Sequence, residues 1–181
     1  MTLRLPDWFE GGFPDGELLV LDALQPVLDE VDVLDRNGDP VLDAGQPRRP
    51  TGWTHLPDNF ADRLPIVRVY RGGGASDMGV LKDPAAVQLA VIADTRAESW
   101  QLMELCQQWL LTYYRGGAVV REGGATTQIQ GVEELIGPQY VPELNPDKRM
   151  VVRTFRVTCR LPRGLPNYER IREQKVRALL P

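Results

Sequence analysis

Histidine is nearly missing from this chain: of 181 residues only His55 is one. Serine and cysteine are scarce as well, with Ser76, Ser99, Cys106 and Cys159 making up both sets. Neither serine has a histidine close in sequence or lies in a G-x-S-x-G turn, so no serine nucleophile is indicated. Two cysteines 53 positions apart set no disulfide framework, and both fall in apolar-patterned segments where they read as small buried hydrophobes. With no CxxC or HxxxH spacing around His55, a metal site has no ligand set. No apolar run approaches the roughly 20 residues of a membrane helix. Met1 to Pro14 holds Asp7 and Glu10 and lacks an apolar h-region, so no signal peptide is expected and the cytoplasm is the expected place of synthesis and residence.

What is present is enough apolar sequence (43%) for one ordinary domain, and a lopsided charge. Residues 1–62 carry 13 acids against 4 bases, a net of −9, while residues 149–181 carry 9 bases against 2 acids, a net of +7. The basic end has few interleaved aromatics and the whole chain is acidic at −4, so complementarity between copies or with a partner surface explains it better than nucleic-acid binding.

Three parts are expected: an N-terminal arm over 1–14, a domain over 15–162 and a basic tail over 163–181. The arm places Trp8, Phe9 and Phe13 among Pro6, Gly11, Gly12 and Pro14, too broken for a helix. Asp15 reads as the N-cap of a helix with Leu18, Leu19, Leu21, Leu24, Val27 and Leu28, bent or ended by Pro26. Residues 35–60 read as loop, with a hairpin between Val33 and Val41 across Asn37-Gly38. Pro65 to Arg71 and Ala86 to Ala93 read as strands. Asp94 to Arg115 has the clearest pattern. Thr95 and Glu98 form a capping box, Leu102, Met103, Cys106, Trp109, Leu110 and Tyr113 share a face, Trp100 lies off it, and Gly116-Gly117 ends the helix. Thr126 to Ile136 and Arg149 to Leu161 are two further strands, joined through Pro138, Pro142, Asn145 and Pro146. In the last strand Val151, Phe155, Val157 and Cys159 face one way and Thr154, Arg156, Thr158 and Arg160 the other, with Arg153 an exception on the apolar side. The order implies an α+β fold: a single mainly antiparallel or mixed β-sheet of about four strands covered by two helices, with extended N- and C-terminal arms.

No residue set proposes a reaction. The run Gly72-Gly73-Gly74 is followed by neither a Lys-Ser/Thr pair nor a helix, so it is read as a flexible rim loop rather than a phosphate cradle. Glu133 and Glu134 are neighbours on a strand and point to opposite faces. Asp29, Asp32 and Asp35 lack the glycine and closing glutamate of a calcium loop.

Taken in order, Leu64-Pro65-Ile66-Val67-Arg68-Val69, Gly73-Gly74, the Asp83 region, Val87-Gln88-Leu89-Ala90-Val91-Ile92-Ala93 and Thr95-Arg96-Ala97 resemble the tail terminators of long-tailed (siphovirus-type) bacteriophages. The likeness continues through Gly137-Pro138-Gln139-Tyr140-Val141-Pro142, Asn145-Pro146 and Val151-Val152-Arg153-Thr154-Phe155-Arg156-Val157, covering roughly residues 60 to 162. It implies a structural virion protein of the tail and neck, not an enzyme, with no cofactor and no metal. It further implies a homo-hexameric ring on the head-proximal end of the tail tube, which ends tube polymerisation and offers the surface where the head docks. Its partners would be copies of itself, the tail tube protein and a head–tail connector or neck protein, with DNA only in transit through the lumen and no membrane. The acidic 29–62 segment is expected to line that lumen, where negative charge keeps passing DNA from sticking. The candidate contact residues are Trp8, Phe9 and Phe13 in the arm, Arg71 with Gly72, Gly73 and Gly74, and Arg156 and Arg160 on the polar strand face. Three other readings stay open from the residues alone: another neck component such as a head–tail connector or tail-completion protein, a small metal-dependent hydrolase built on the acidic loops, and a nucleic-acid-binding module over 149–177.

Overall fold

The computed structural model describes residues 3–9, 11–77, 79–140, 149–161 and 167–178. Helix α1 (Gly16–Leu28) opens at Asp15, whose side chain accepts the N–H groups of Glu17 and Leu18, satisfying two of the first turn's free donors. It runs two residues past Pro26. Helix α2 (Arg96–Leu111) carries the expected capping box: Glu98 N–H donates to Thr95 Oγ1 at 3.2 Å, and Thr95 N–H donates to Glu98 Oε2 at 2.8 Å. A 3₁₀ turn, Thr112–Arg115, continues it to Gly116, which takes φ +88°.

The sheet is larger than the sequence suggests. Six strands lie in the order β3 (Thr51–Trp53), β4 (Ile66–Gly73), β5 (Lys82–Ile92), β8 (Met150–Arg160), β7 (Thr126–Tyr140), β6 (Gly117–Val120). A separate two-stranded hairpin joins β1 (Leu42–Asp43) to β2 (Gln46–Pro47). Among the described residues only β3 and β4 run parallel, so the sheet is mixed. The expected four strands are the four central ones. The two missed strands are the short edges, three and four residues long, whose extended shape comes from pairing rather than from their own alternation. Gly117, expected only to stop α2, begins β6. Strand β7 also runs on through Pro138, expected in the connection, because register shifts there free that position from the ladder. The other expected connection residues, Pro142, Asn145 and Pro146, lie outside the described residues. Within the expected loop, Val41 N–H donates to the Val33 carbonyl at 2.8 Å across the Asn37-Gly38 turn. The tail, expected as an extended arm with weak helical character at Ile171 and Val176, holds a third helix, α3 (Tyr168–Arg177).

Helices α1 and α2 cover one face of the sheet. Leu19, Leu24 and Leu28 of α1 and Met103, Cys106 and Leu110 of α2 are buried against Val69, Leu89, Phe155 and Ile129. Trp109 fixes the helices to each other by donating its indole N–H to the Ala23 carbonyl at 2.6 Å. A smaller cluster of Leu64, Ile66 and Ile92, with Trp53, Leu56 and Met150 against it, buries one end of the opposite face. The sheet curls so far that both edge strands, β3 and β6, reach α1. Arg121, just after β6, pairs with Asp22 of α1 across that seam at 2.5 Å.

Candidate assembly surfaces

Arg71, expected as a contact residue, is committed inside the subunit. It leaves β4 on the helix-covered side and grips Asp83 of β5 with both terminal nitrogens, at 2.6 and 2.7 Å. Asp83 is fully buried, and Ser76 adds a hydroxyl donor at 3.0 Å. The Asp83 carboxylate bonded to its guanidinium raises the Arg71 pKa further, so the charge is permanent. The same guanidinium donates to the Gly73 carbonyl at 3.2 Å and the Gly74 carbonyl at 3.4 Å. Gly72 and Gly73 are the end of β4, and Gly73 pairs with Ala86. Gly74, at φ +98°, comes so close to β5 that a Cβ there would sit 2.4 Å from the Pro84 carbonyl oxygen. The glycine run is therefore a clamped strand end, not the free rim loop the sequence suggests.

The helix-free face of the sheet is polar. Arg156 of β8 pairs with Glu133, its register partner on β7. Arg160 stands opposite Lys82 of β5 on the same face, a like-charge pair that repels unless an acid covers it. Arg68 lays its guanidinium 5.1 Å from the Tyr70 ring centre, and its Nε has no hydrogen-bond partner among the described residues. Arg153, the exception on the apolar side, is bound by Glu104 of α2 and Glu134 of β7. Its burial thus has a partner on each flanking element.

In the arm, Phe13 packs on the subunit's own core, whereas Trp8 and Phe9 are each 39% exposed. Trp8 meets Tyr168 of α3 edge-on, 6.1 Å between ring centres. No residue of α3 is buried.

Sequence reasoning missed an open groove of about 750 Å³ along the outer side of α1. The two sheet edges form its walls, with Trp53 on one and Val120 on the other, and Leu18 and Leu21 line it between them. Asp22, Asp29 and Glu122 outnumber Arg121 around it. No sequence signal marks this groove, because it needs β3 and β6 to converge.

Chemistry has little to work with. Burial pushes the Cys106 thiol up to about 12 and Cys159 up to about 11, so neither is a ready nucleophile. Ser99 ties elements together: its hydroxyl accepts the Ala93 N–H at 2.9 Å and donates to the Arg149 carbonyl. Asp35 accepts the N–H groups of Asn37 and Asp39 in its turn, and Asp32 pairs with Arg49 at 3.7 Å. Among the described residues, no three of His, Cys, Asp and Glu gather as a metal site. No described helix is long and apolar enough to cross a membrane.

Comparison with known families matches residues 12–166 to the one described as phage tail termination protein. The matched stretch is wider than the resemblance read from the sequence, taking in α1 and the acidic 29–62 segment, and it ends just short of α3. Comparison with curated proteins finds no match.

Proposed function

Because the chain belongs to the phage tail termination protein family, we propose that it caps the head-proximal end of the tail tube as a closed ring, a homo-hexamer, and so ends tube growth. A tail protein is a component of the virion, and the family is structural rather than enzymatic. The observation that carries the reading is the family match across the whole folded body, from the end of the arm through β8. The capped end offers the head, through a connector or neck protein, its docking surface. Closed cyclic symmetry explains termination physically. Each copy uses up its lateral surfaces on two neighbours, and the face turned away from the tube need not resemble a tube subunit. The polar sheet face, with Arg156, Arg160 and Lys82, suits a lateral contact of this kind, since a neighbour's acids would relieve the Lys82–Arg160 repulsion. The acidic 29–62 segment, facing the lumen, would keep the DNA in transit from adhering.

The direct test polymerises tail tube protein with and without this protein and images the ends. Tubes of arrested length with a ring at one end, together with a solution species near six times 20.3 kDa, are the expected result. Tubes that keep growing, beside a protein that binds only the head connector, would replace the terminator reading with another neck role.

The arm makes a second, smaller prediction. Replacing Trp8 and Phe9 together by alanine should leave unfolding within about 1 kcal/mol of the parent, since surface changes of this kind cost little. Ring formation or capping should weaken several-fold. Assembly at parental strength would remove the arm from the contact.

A further inference from the structure

We infer that helix α3 of one copy docks in the α1 groove of a second copy. The inference rests on the ring reading above and names one of its contacts. No residue of the helix is buried and only Ile171 is half-covered, yet Tyr168, Ile171 and Val176 fall within an arc of about 140° at 100° per residue. Arg172 and Lys175 share that side. A helix this short, with no buried face, gains little stability from propensity alone and needs a surface to lie on. Its own subunit gives it the edge of Trp8.

The groove offers what that side requires. Leu18 and Val120 are apolar residues left 46% and 68% exposed, with Leu21 between the walls. Asp29 and Glu122 stand around them to meet Arg172 and Lys175, while Asp22 is taken up by Arg121. Charge separates this occupant from the N-terminal arm, which is also exposed and apolar. The arm carries Asp7 and Glu10 against Arg4, whereas α3 carries Arg170, Arg172, Lys175 and Arg177 against Glu169 and Glu173. An acidic rim favours the helix. The family match ends at residue 166, one before the α3 N-cap Asn167, so this contact would be an addition to the shared body.

Disulfide trapping tests the pairing in the full-length chain, because the two native thiols are buried and slow to react. One chain carries Val120→Cys, another, with a mass tag, carries Ile171→Cys, and the two are mixed under oxidised glutathione. Expected is a linked pair containing one chain of each kind, at least tenfold above a control pairing Leu135→Cys with Ile171→Cys. Adding Arg172→Glu and Lys175→Glu should abolish it, and Asp29→Lys with Glu122→Lys in the other chain should restore it. No linked pair above control overturns the inference. So does a chain carrying both cysteines that closes on itself at dilution, which would place α3 in its own groove. Trapping also registers brief encounters, so a protein that is monomeric by mass is still tested. Tube capping by the unsubstituted protein is scored separately. Capping without linkage removes this contact alone, and linkage without capping removes the terminator reading alone.

Discussion

Replacing Arg71 by methionine is expected to lower the free energy of unfolding by about 3–5 kcal/mol, the cost of leaving a buried charge without its partner. Asp83 has no exposed surface, and the change would leave its carboxylate with the Ser76 hydroxyl in place of a two-pronged cation. The reverse change, Asp83→Asn, should cost less, about 1–2 kcal/mol, because the Arg71 side chain is 32% exposed and its freed end reaches water. Urea denaturation of the parent and both variants measures this, with the midpoint shifting and the slope unchanged. Equal costs, or a larger cost for Asp83→Asn, would show that the carboxylate is not the group the clamp protects. The clamp also holds the carbonyls of Gly73 and Gly74, so Arg71→Met should raise amide exchange at that strand end well before global unfolding.

Phe155→Ala should be as damaging, about 3–5 kcal/mol, by removing the largest fully buried side chain and leaving a cavity under the helices. For a chain of this length that corresponds to a melting temperature lower by roughly 10 °C. Its neighbour Arg156→Ala should change stability by no more than about 0.5 kcal/mol, since its pair with Glu133 is exposed. Ring formation should respond in the opposite order, with Arg156→Ala weakening assembly of a subunit that stays folded. If thermal unfolding ranks the two alike, β8 does not divide core from surface as its burial indicates.

That division was the most legible part of the sequence. Alternation along β8 told the two faces apart, and the Thr95–Glu98 box with the Leu102–Leu110 stripe marked α2, because both patterns are local. What stayed hidden depends on distant partners. Arg153 broke the β8 pattern, and its explanation lies on α2 and β7, 49 and 19 residues away. Strands β3 and β6 are too short to alternate and exist because β4 and β7 offer them an edge. Of the candidate contact residues, Trp8, Phe9, Gly72, Gly73, Gly74, Arg156 and Arg160 lie at the surface, while Arg71 is held by the buried Asp83 and Phe13 packs on the core. Residue type alone carries no sign of that distinction.

The seam where β3 and β6 meet α1 also sets an order of events during synthesis. Helix α1 is made well before its companions. The Ala23 carbonyl waits 86 residues for Trp109, and Asp22 waits 99 for Arg121. Until then Leu19, Leu24 and Leu28 have no complete surface to bury against, and the nascent chain carries a sticky helix. Pairing of such long reach makes folding slow and exposes the nascent chain to aggregation. Soluble yield should therefore depend on temperature and chaperone supply more steeply than the stability of the finished subunit does.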